Sequence, residues 1–265
     1  IIVCIKQIMD PELPTSKFEI DAEANRVIPP EGIPSVINPF DAQAIEVALR
    51  IKEADGATVT AISVGGQEAE EVVRYAISMG ADEGILVKDE LFKELNSFST
   101  AHVLSKAISK VGQYDLILCG RYAADRDVGQ VGLILGEKLR LPIVTLAKSV
   151  TLSSGKLRVE HVIAGGHQVY EVGMPAVVTV SDEIGPARIP SGWGVIAAAM
   201  SKEIPTWSAQ DIGVNASDFD IATVRSEVIR LFIPDRRRKG EVVQGKDPAE
   251  ASANLIARLR ADGIL

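Results

Sequence analysis

Short apolar runs alternate with segments of helical periodicity over the first 146 residues. The apolar runs have the length of buried strands and lie at 1–5, 57–64, 84–87, 116–119 and 143–146. Apolar residues spaced three and four apart predict intervening helices at about 42–54, 68–78, 99–111 and 131–139, with Asp41 as a candidate N-cap of the first. Because strands that alternate with helices pair in parallel, the pattern predicts an α/β fold with a doubly wound, mostly parallel sheet covered on both faces.

The pattern changes after residue 150. Two short apolar runs flank the turn at 153–156, which is typical of a β-hairpin. Further short strands are predicted at 169–171 and 176–180. The segment from 184 to about 210 is rich in Pro, Gly and small residues, and this composition favours an exposed loop and connector.

The C-terminal segment is predicted to form a separate arm. Apolar residues at helical spacing indicate a last helix at 247–260, which the basic run 236–239 precedes. We therefore expect a domain at 1–233 that includes a partner-docking loop at about 184–200. We expect the remaining residues, 234–265, to form a helical arm.

The segment that joins the fourth strand to its helix, residues 120–132, carries the clearest functional signal. In an open parallel sheet such loops lie at the carboxyl ends of strands, where ligands bind. The following helix offers unpaired N–H groups and a positive dipole end, which suit phosphate. Gly120, Gly129 and Gly132 let the backbone approach a ligand closely. The segment therefore predicts a nucleotide phosphate held by main-chain amides.

Composition narrows the functional classes. The 265-residue chain is 46% hydrophobic and 24% charged, and its formal net charge of −8 disfavours a general nucleic-acid surface. No apolar run approaches the roughly 20 residues needed to span a bilayer. Both cysteines, Cys4 and Cys119, lie in strand-like runs, and we expect buried reduced thiols rather than a disulfide. The expected location is the cytoplasm of a bacterium or archaeon, ahead of the mitochondrial matrix.

Common catalytic and metal signatures are missing from the sequence. It contains no G-x-G-x-x-G, P-loop, nucleophile elbow or H-E-x-x-H motif. None of the three histidines has a Cys or His at metal-ligand spacing, so no metal site is predicted. Asp125 and Asp127 favour a structural or ribose-binding role over acid–base catalysis. We expect a nucleotide-binding chain without a catalytic residue.

Four motifs in order give the chain a family resemblance. They are Val3-Cys-Ile-Lys-Gln7, Ile37-Asn-Pro-Phe-Asp41, Met79-Gly-Ala-Asp82 and the loop from Gly120 to Gly132. With 175–179 and the tail helix, they make the chain resemble the β (small) subunit of electron-transfer flavoproteins nearly end to end. The resemblance implies an electron-carrier subunit with an adenine-nucleotide-binding, Rossmann-like fold, rather than an enzyme.

The resemblance also implies cofactors. Family members are αβ heterodimers in which the α subunit supplies most contacts to FAD. The β subunit holds AMP or, in flavin-bifurcating members, a second FAD. The matching nucleotide positions lie at or near the carboxyl ends of predicted strands, and they are Cys4, Asn38, Pro39, Phe40, Asp41, Val64, Gly120, Arg121, Ala123, Asp125, Arg126, Asp127, Val128, Gly129, Gln130 and Val131.

Several of these positions have an implied role. Gln130 and the N–H groups of 127–131 are expected to face phosphate, whereas Cys4 contributes backbone. Asn38 is expected either to read a base edge or to tie down its loop. Phe40 is expected either to lie near the α-subunit flavin or to fill the core.

The loop 120–132 and the segment 230–235 resemble different kinds of family member, and these differ in the nucleotide that they hold. The spacing within 120–132 resembles flavin-bifurcating members, which hold a second FAD. Arg126 and the pair 128–129, however, replace residues typical of those members. The segment 230–235 resembles members that feed a membrane chain or a specific dehydrogenase. AMP is therefore the first expectation and a second FAD the alternative.

The resemblance places partner contacts in the segment 185–194. Relatives present a loop there that anchors a flavin dehydrogenase, such as an acyl-CoA dehydrogenase, and Arg188 and Trp193 are the expected docking residues. An exposed Trp is costly unless it docks, and the alternative is a Trp folded back onto its own domain. The arm is expected to pack on the α subunit, with the basic run 236–239 either solvated or in contact with it. A membrane quinone oxidoreductase is a candidate acceptor.

Two other classes of function are open from the residues alone. A stand-alone adenine-nucleotide-binding regulatory protein would share the architecture, but it would not need an arm or a Gly/Pro-rich loop. An enzyme with nucleotidyl or ligase chemistry would need phosphate-directed lysines or a Gly-rich catalytic motif, and the sequence lacks both.

Overall fold

A nine-stranded sheet flanked by helices organises the chain in the computed structural model, which describes residues 1–93, 95–200, 203–219, 228–234 and 240–265. The helices are α1 (Pro39–Asp55), α2 (Glu70–Met79), α3 (Ser97–Val111), α4 (Val131–Leu139), α5 (Gly192–Met200) and α6 (Pro248–Ala261). The strands are β1 (Ile2–Ile5), β2 (Gln7–Ile8), β3 (Glu19–Asp21), β4 (Arg26–Ile28), β5 (Val36–Ile37), β6 (Thr60–Val64), β7 (Glu83–Val87), β8 (Leu116–Gly120), β9 (Ile143–Ser153), β10 (Lys156–Ile163), β11 (Gly166–Val172), β12 (Ala176–Val180) and β13 (Thr206–Trp207).

The large sheet has the strand order β11-β10-β9-β12-β8-β1-β6-β7-β13. The seven strands β9-β12-β8-β1-β6-β7-β13 are parallel to their neighbours. At the other end of the sheet, β10 lies between β9 and β11 and is antiparallel to both. The chain adds β6 and β7 on one side of β1, and β8 and β12 on the other. Ligands bind at such a reversal of strand order in open α/β sheets. The predicted fold class is confirmed.

Alternating side chains divide the core into two layers. Val3 and Ile5 pack with α1 and α2, whereas Ile2 and Cys4 pack with α3 and α4. Successive strand residues point to opposite faces, so a strand covered by helices on both sides is apolar throughout. This explains why the parallel strands are continuous apolar runs in the sequence.

The predicted hairpin is larger than the sequence indicated. The runs at 143–146 and 150–152 belong to one strand, β9, which pairs with β12 near its start and with β10 further along. Leu146 has a φ of 50°, and its N–H donates to Thr179 Oγ1 at 3.0 Å, close to a shift in register. This irregularity redirects the strand from the parallel sheet into an antiparallel extension that includes β11.

The first helix begins earlier than expected. Asp41 is not its N-cap, because α1 starts at Pro39 and Asn38 occupies the cap position. Proline is favoured in the first turn of a helix, since its missing N–H would have no intrahelical partner there. Asp41 therefore lies inside the first turn, where its side chain is free to bond elsewhere.

The connector predicted at 184–210 contains a helix, so the loop prediction was wrong in this part. Ser191 Oγ accepts a hydrogen bond from the N–H of Gly194 at 3.0 Å, which caps the start of α5. Three successive alanines at 197–199 then favour the helix. The two glycines beside Trp193 concealed this start signal.

The chain divides into two compact units, Ile1–Glu19 with Val27–Ile229 and Ile20–Arg26 with Arg230–Leu265. The second unit contains α6, whose predicted position is confirmed. Asp247 caps α6, because its carboxylate accepts a hydrogen bond from the N–H of Glu250 at 2.8 Å. The basic run 236–239 lies outside the described residues.

Candidate functional site

A cavity of about 1470 Å³ lies at the carboxyl ends of β1, β6, β7 and β8. Most of its lining comes from the segments 4–7, 64–69, 88–104 and 119–134, together with Asp41. Pockets for drug-sized ligands are usually roughly 300–1,000 Å³. This cavity therefore has room for more than a small metabolite.

Most residues that the family resemblance named are brought together here. Those that line the cavity are Cys4, Asp41, Val64, Gly120, Arg121, Ala123, Asp125, Arg126, Val128, Gly129, Gln130 and Val131. Asn38, Pro39, Phe40 and Asp127 do not line it. The first three lie behind the lining at the start of α1.

Asn38 fastens the loop that follows β8. Its Nδ2 donates to the carbonyl oxygen of Tyr122 at 2.9 Å, and its Oδ1 accepts from the N–H of Ala124 at 3.1 Å. The side chain is fully buried. Because both polar atoms of the amide are used, Asn38 ties down the loop rather than facing a ligand.

Asp41 joins the ends of two strands. Its carboxylate accepts hydrogen bonds from the N–H of Lys6 at 2.8 Å and from the N–H of Gly120 at 3.0 Å. Burial raises the pKa of Asp41 to about 7, against the opposing effect of these bonds and of the Asn38 amide. A Cβ at position 120 would lie 2.5 Å from Asp41 Oδ1, so only glycine fits there.

The N-terminus of α4 faces the same cavity. The first-turn N–H groups of a helix have no intrahelical acceptor, and Val131 and Gly132 of that turn line the cavity. Gly132 lets the helix approach the sheet, since a Cβ there would lie 2.6 Å from Thr179 Cγ2. The N–H of Asp127 donates to the carbonyl of Ala123 at 2.9 Å, so this amide is already bonded.

Charged side chains close the loop over the strand ends. Lys6 Nζ and Asp125 Oδ2 form an ion pair at 2.6 Å. Arg126 lines the cavity and has no acidic partner in the described part of the chain. Arg126 is therefore available to pair with an anionic ligand in the cavity.

An aromatic and cationic stack lies beside the cavity. The rings of Phe40 and Tyr122 have centroids 4.5 Å apart, and the Arg121 guanidinium lies 5.6 Å and 4.6 Å from them. Arg121 also forms an ion pair with Asp182. Phe40 is half-buried in this stack, so it does not fill the core. Arg121 Nε is buried without a hydrogen-bond partner among the described residues.

Sequence reasoning missed one wall of the cavity. Apolar side chains from the segment after β7, from α3 and from α4 line it, namely Phe92, Leu95, Phe98, Leu104, Leu133 and Ile134. The sequence could have predicted part of this wall. Residues 84–87 were predicted to form a parallel strand, so the residues that follow it should lie at the same edge of the sheet as the loop 120–132. Lys6, Tyr122 and Ala124 were also missed, since their roles depend on contacts distant in sequence.

The two residues expected to dock a partner differ in their surroundings. Trp193 is 81% exposed on α5. Arg188 instead bonds to α1, with Nε 2.7 Å from Glu46 Oε2 and Nη2 3.2 Å from Glu53 Oε2. Because Glu46 is buried, this network holds the connector before α5 against α1.

Close contacts also hold α5 against α2. A Cβ at Gly194 would lie 2.3 Å from the carbonyl oxygen of Ser78. Arg74 Nη1 donates to the carbonyl of Ala198 at 3.2 Å, near the end of α5. These contacts fix one side of α5 and leave Trp193 and Met200 exposed on its surface.

The described ranges lack two kinds of feature. They contain no group of three or more His, Cys, Asp or Glu side chains placed to hold a metal ion. No helix within them is both long and apolar enough to cross a bilayer.

Comparison with known proteins decides the family. A family model described as the electron transfer flavoprotein domain matches residues 26–212, which is more than half of the chain. The chain belongs to the electron transfer flavoprotein family. It is 38% identical to electron transfer flavoprotein subunit beta of Thermoanaerobacterium thermosaccharolyticum, over all of this chain and 99% of that protein.

Other members of the electron transfer flavoprotein family extend the match. Over all of this chain and 99% of each relative, it is 33% identical to the caffeyl-CoA reductase-Etf complex subunit CarD of Acetobacterium woodii. It is also 30% identical to the acryloyl-CoA reductase electron transfer subunit gamma of Anaerotignum propionicum, again over all of this chain and 99% of that protein. The expected β-subunit resemblance is confirmed, and the role of the chain is electron transfer.

Proposed function

We propose that this chain is the β subunit of an αβ electron carrier and that its cavity holds an adenine nucleotide by the phosphate. The observation that carries the proposal is the placement of the α4 N-terminus at the cavity, behind a loop that Asn38 and Asp41 fix. Helix N-termini favour phosphate through unpaired N–H groups and the helix dipole. A fixed loop presents these groups without an ordering cost when the ligand binds.

An anionic ligand also fits the charges around the cavity. Arg121 Nε is a buried donor without a partner among the described residues, and Arg126 has no acidic partner there. Arg126 is exposed and lines the cavity, so a phosphate or pyrophosphate oxygen in the cavity would supply an acceptor for its guanidinium.

The cavity favours FAD over AMP. Its volume of about 1470 Å³ exceeds what a mononucleotide needs. Phe92, Phe98 and Leu133 give one wall an apolar surface, which suits a flat aromatic ring system. AMP, the first expectation from the sequence, would leave this wall uncovered. We therefore place a second FAD ahead of AMP.

The side chains of this subunit act by binding and positioning. A bound flavin supplies the redox chemistry, because it can accept and donate electrons. Asp41 and Asn38 hold the loop, the α4 amides bind phosphate, and Lys6 with Asp125 closes the loop over the strand ends. No side chain is assigned a role as an acid, base or nucleophile.

Partner contacts are proposed at two surfaces. The exposed side of α5, with Trp193 and Met200, and the exposed Ile189 just before it are proposed to bind a flavin dehydrogenase or reductase. The names of two relatives, which refer to caffeyl-CoA reductase and acryloyl-CoA reductase, support a partner that acts on acyl-CoA compounds. The exposed Leu255 and Ile256 of α6 are proposed to pack on the α subunit.

Identification of the bound nucleotides tests this proposal. The chain is co-expressed with its α subunit, the purified complex is denatured, and the released nucleotides are separated and counted. We expect two FAD per αβ complex. One FAD with one AMP would select AMP for the cavity, and one FAD with no further nucleotide would contradict the proposed site.

A further inference from the structure

Two thiols lie side by side at the cavity. Cys4 of β1 and Cys119 of β8 are register partners on adjacent parallel strands, which run roughly 4.8 Å apart. Both belong to the same core layer, so their side chains point to the same face of the sheet. They are the only cysteines of the chain, and both are free.

The cavity gives access to this pair. Cys4 and Cys119 are only 6% and 5% exposed, yet both contribute to the cavity lining. Cys119 Sγ lies 3.7 Å from the position that a Cβ on Gly132 would occupy. Cys119 Sγ therefore lies close to the backbone of Gly132 at the start of α4.

We propose that Cys4 and Cys119 form a dithiol site that chelates trivalent organoarsenicals entering through the cavity. Two As–S bonds form when an arsenoxide, R–As=O, reacts with the two thiols. The As=O bond and both S–H bonds break, and the oxygen leaves as water with the two protons. No atom changes its oxidation state, so the step needs no oxidant or reductant.

The surroundings of the pair favour this chemistry over attack by a single thiolate. The neighbouring Cys4 thiol and burial raise the pKa of Cys119 well above its usual value, which keeps it protonated. Protonated buried thiols react slowly as single nucleophiles. A chelating electrophile differs, because its second bond is intramolecular and benefits from a high effective concentration.

The site lies beyond the proposed nucleotide function and does not depend on it. An arsenic atom bridging the two sulfurs would occupy the floor of the cavity near Gly132. If the cavity holds a nucleotide, the nucleotide and the arsenical exclude each other. If it holds none, the dithiol pair remains a site.

Intact-mass measurement on the αβ complex tests the proposal. The complex is freed of nucleotide by dialysis against concentrated potassium bromide, treated with phenylarsine oxide, and washed with excess 2-mercaptoethanol. We expect the β chain to retain one phenylarsenic group and to release it to 2,3-dimercaptopropanol. Cys4→Ala and Cys119→Ala should each lower retention by roughly 100-fold, because each leaves a single As–S bond to this chain.

The outcomes separate this proposal from the proposed function. No adduct on the nucleotide-free wild-type chain, or undiminished retention in either single variant, would overturn the dithiol site. Circular dichroism of each variant verifies that it is folded, and Cys4→Ser and Cys119→Ser provide second variants. A parallel sample reloaded with FAD should be protected. An adduct that forms equally with FAD present would leave the dithiol site standing and count against the nucleotide site.

Discussion

Asp41 accepts a hydrogen bond from the main-chain N–H of Gly120 at 3.0 Å, across 79 positions of sequence. The same carboxylate binds the N–H of Lys6, so one side chain fixes the ends of the two central strands β1 and β8 relative to each other. The loop that leads to α4 starts at this point. Asp41 therefore determines where the proposed phosphate-binding amides lie, although its role is structural.

Replacement of Asp41 by Asn should loosen this junction. One carboxylate oxygen becomes an N–H₂ group that faces a main-chain donor, so a buried donor loses its acceptor. We expect the free energy of unfolding to fall by about 1–3 kcal/mol and nucleotide retention to decrease. Denaturant unfolding and counting of bound nucleotide measure the two effects.

Asp125→Asn is the matched control for this variant. It removes a more exposed ion pair with Lys6, and such pairs contribute about 0–1 kcal/mol. Equal destabilisation by the two variants would contradict the claim that the buried hydrogen bonds of Asp41 fix the ends of β1 and β8.

The free energy of unfolding should depend on pH because of Asp41. Its pKa is about 7 in the folded protein, against an ordinary value of 3.8. A carboxyl that binds its proton more tightly in the folded state stabilises that state below about pH 3.8, and the contribution is lost as pH rises through 7. The stability difference between wild type and Asp41→Asn should therefore shrink between pH 4 and 7. A difference that grows over this range in urea titrations would refute the assignment.

Gly132→Ala should displace the start of α4. The added Cβ would lie 2.6 Å from Thr179 Cγ2, which requires the helix or the strand to move. We expect nucleotide affinity to fall by roughly 10-fold or more, since small displacements of binding groups have effects of that order. Gly173→Ala is the control, because nothing lies within 4 Å of its added Cβ. Isothermal titration with the released nucleotide should distinguish the two variants.

Arg188→Ala should release the connector before α5. Loss of the bonds to Glu46 and Glu53 frees this segment from α1, so we expect amide hydrogen exchange in 185–198 to accelerate by roughly 10-fold. Lys52→Ala is the control, because it removes an α1 ion pair to Asp82, at 2.6 Å, that does not involve the connector. Unchanged exchange in the Arg188 variant would show that the ion pairs do not hold the segment.

Trp193→Ala should affect the partner and leave the nucleotide unchanged. The side chain is 81% exposed, so its removal creates no cavity in the fold. If it docks, stopped-flow electron transfer should show a KM for the partner enzyme raised by roughly 10-fold or more, with the same flavin content. Trp207→Phe, at a half-buried site, serves as the control for loss of an indole. Transfer kinetics identical to wild type would remove Trp193 from the interface.

The sequence predicted those parts of the fold that local patterns determine. The helix after the fourth strand was predicted to start near Gln130, and the apolar residues that marked it, from Val131 to Leu139, lie within its observed bounds. The bend at Leu146 was not predictable, since it depends on a hydrogen bond from its N–H to Thr179 on another strand. The same limitation hid α5, whose close contact between Gly194 and Ser78 joins segments distant in sequence.

In the candidate site, too, local patterns were predictable and contacts between distant segments were not. Glycines and a helix start located the loop at 120–132 from the sequence alone. The role of Asn38, however, depends on Tyr122 and Ala124, which lie 84 and 86 positions away. Family resemblance named Asn38 but left two roles open, and the hydrogen-bond geometry selects one of them.

A crystal structure of the αβ complex with its nucleotides tests the central claim most directly. The quantity to measure is the distance from each phosphate oxygen to the main-chain nitrogens of residues 128–133. The account predicts at least one phosphate within about 3.2 Å of two or more of these nitrogens, with the loop still bonded to Asn38 and Asp41. A cavity filled by its own side chains, or a nucleotide bound without contact to these amides, would contradict it.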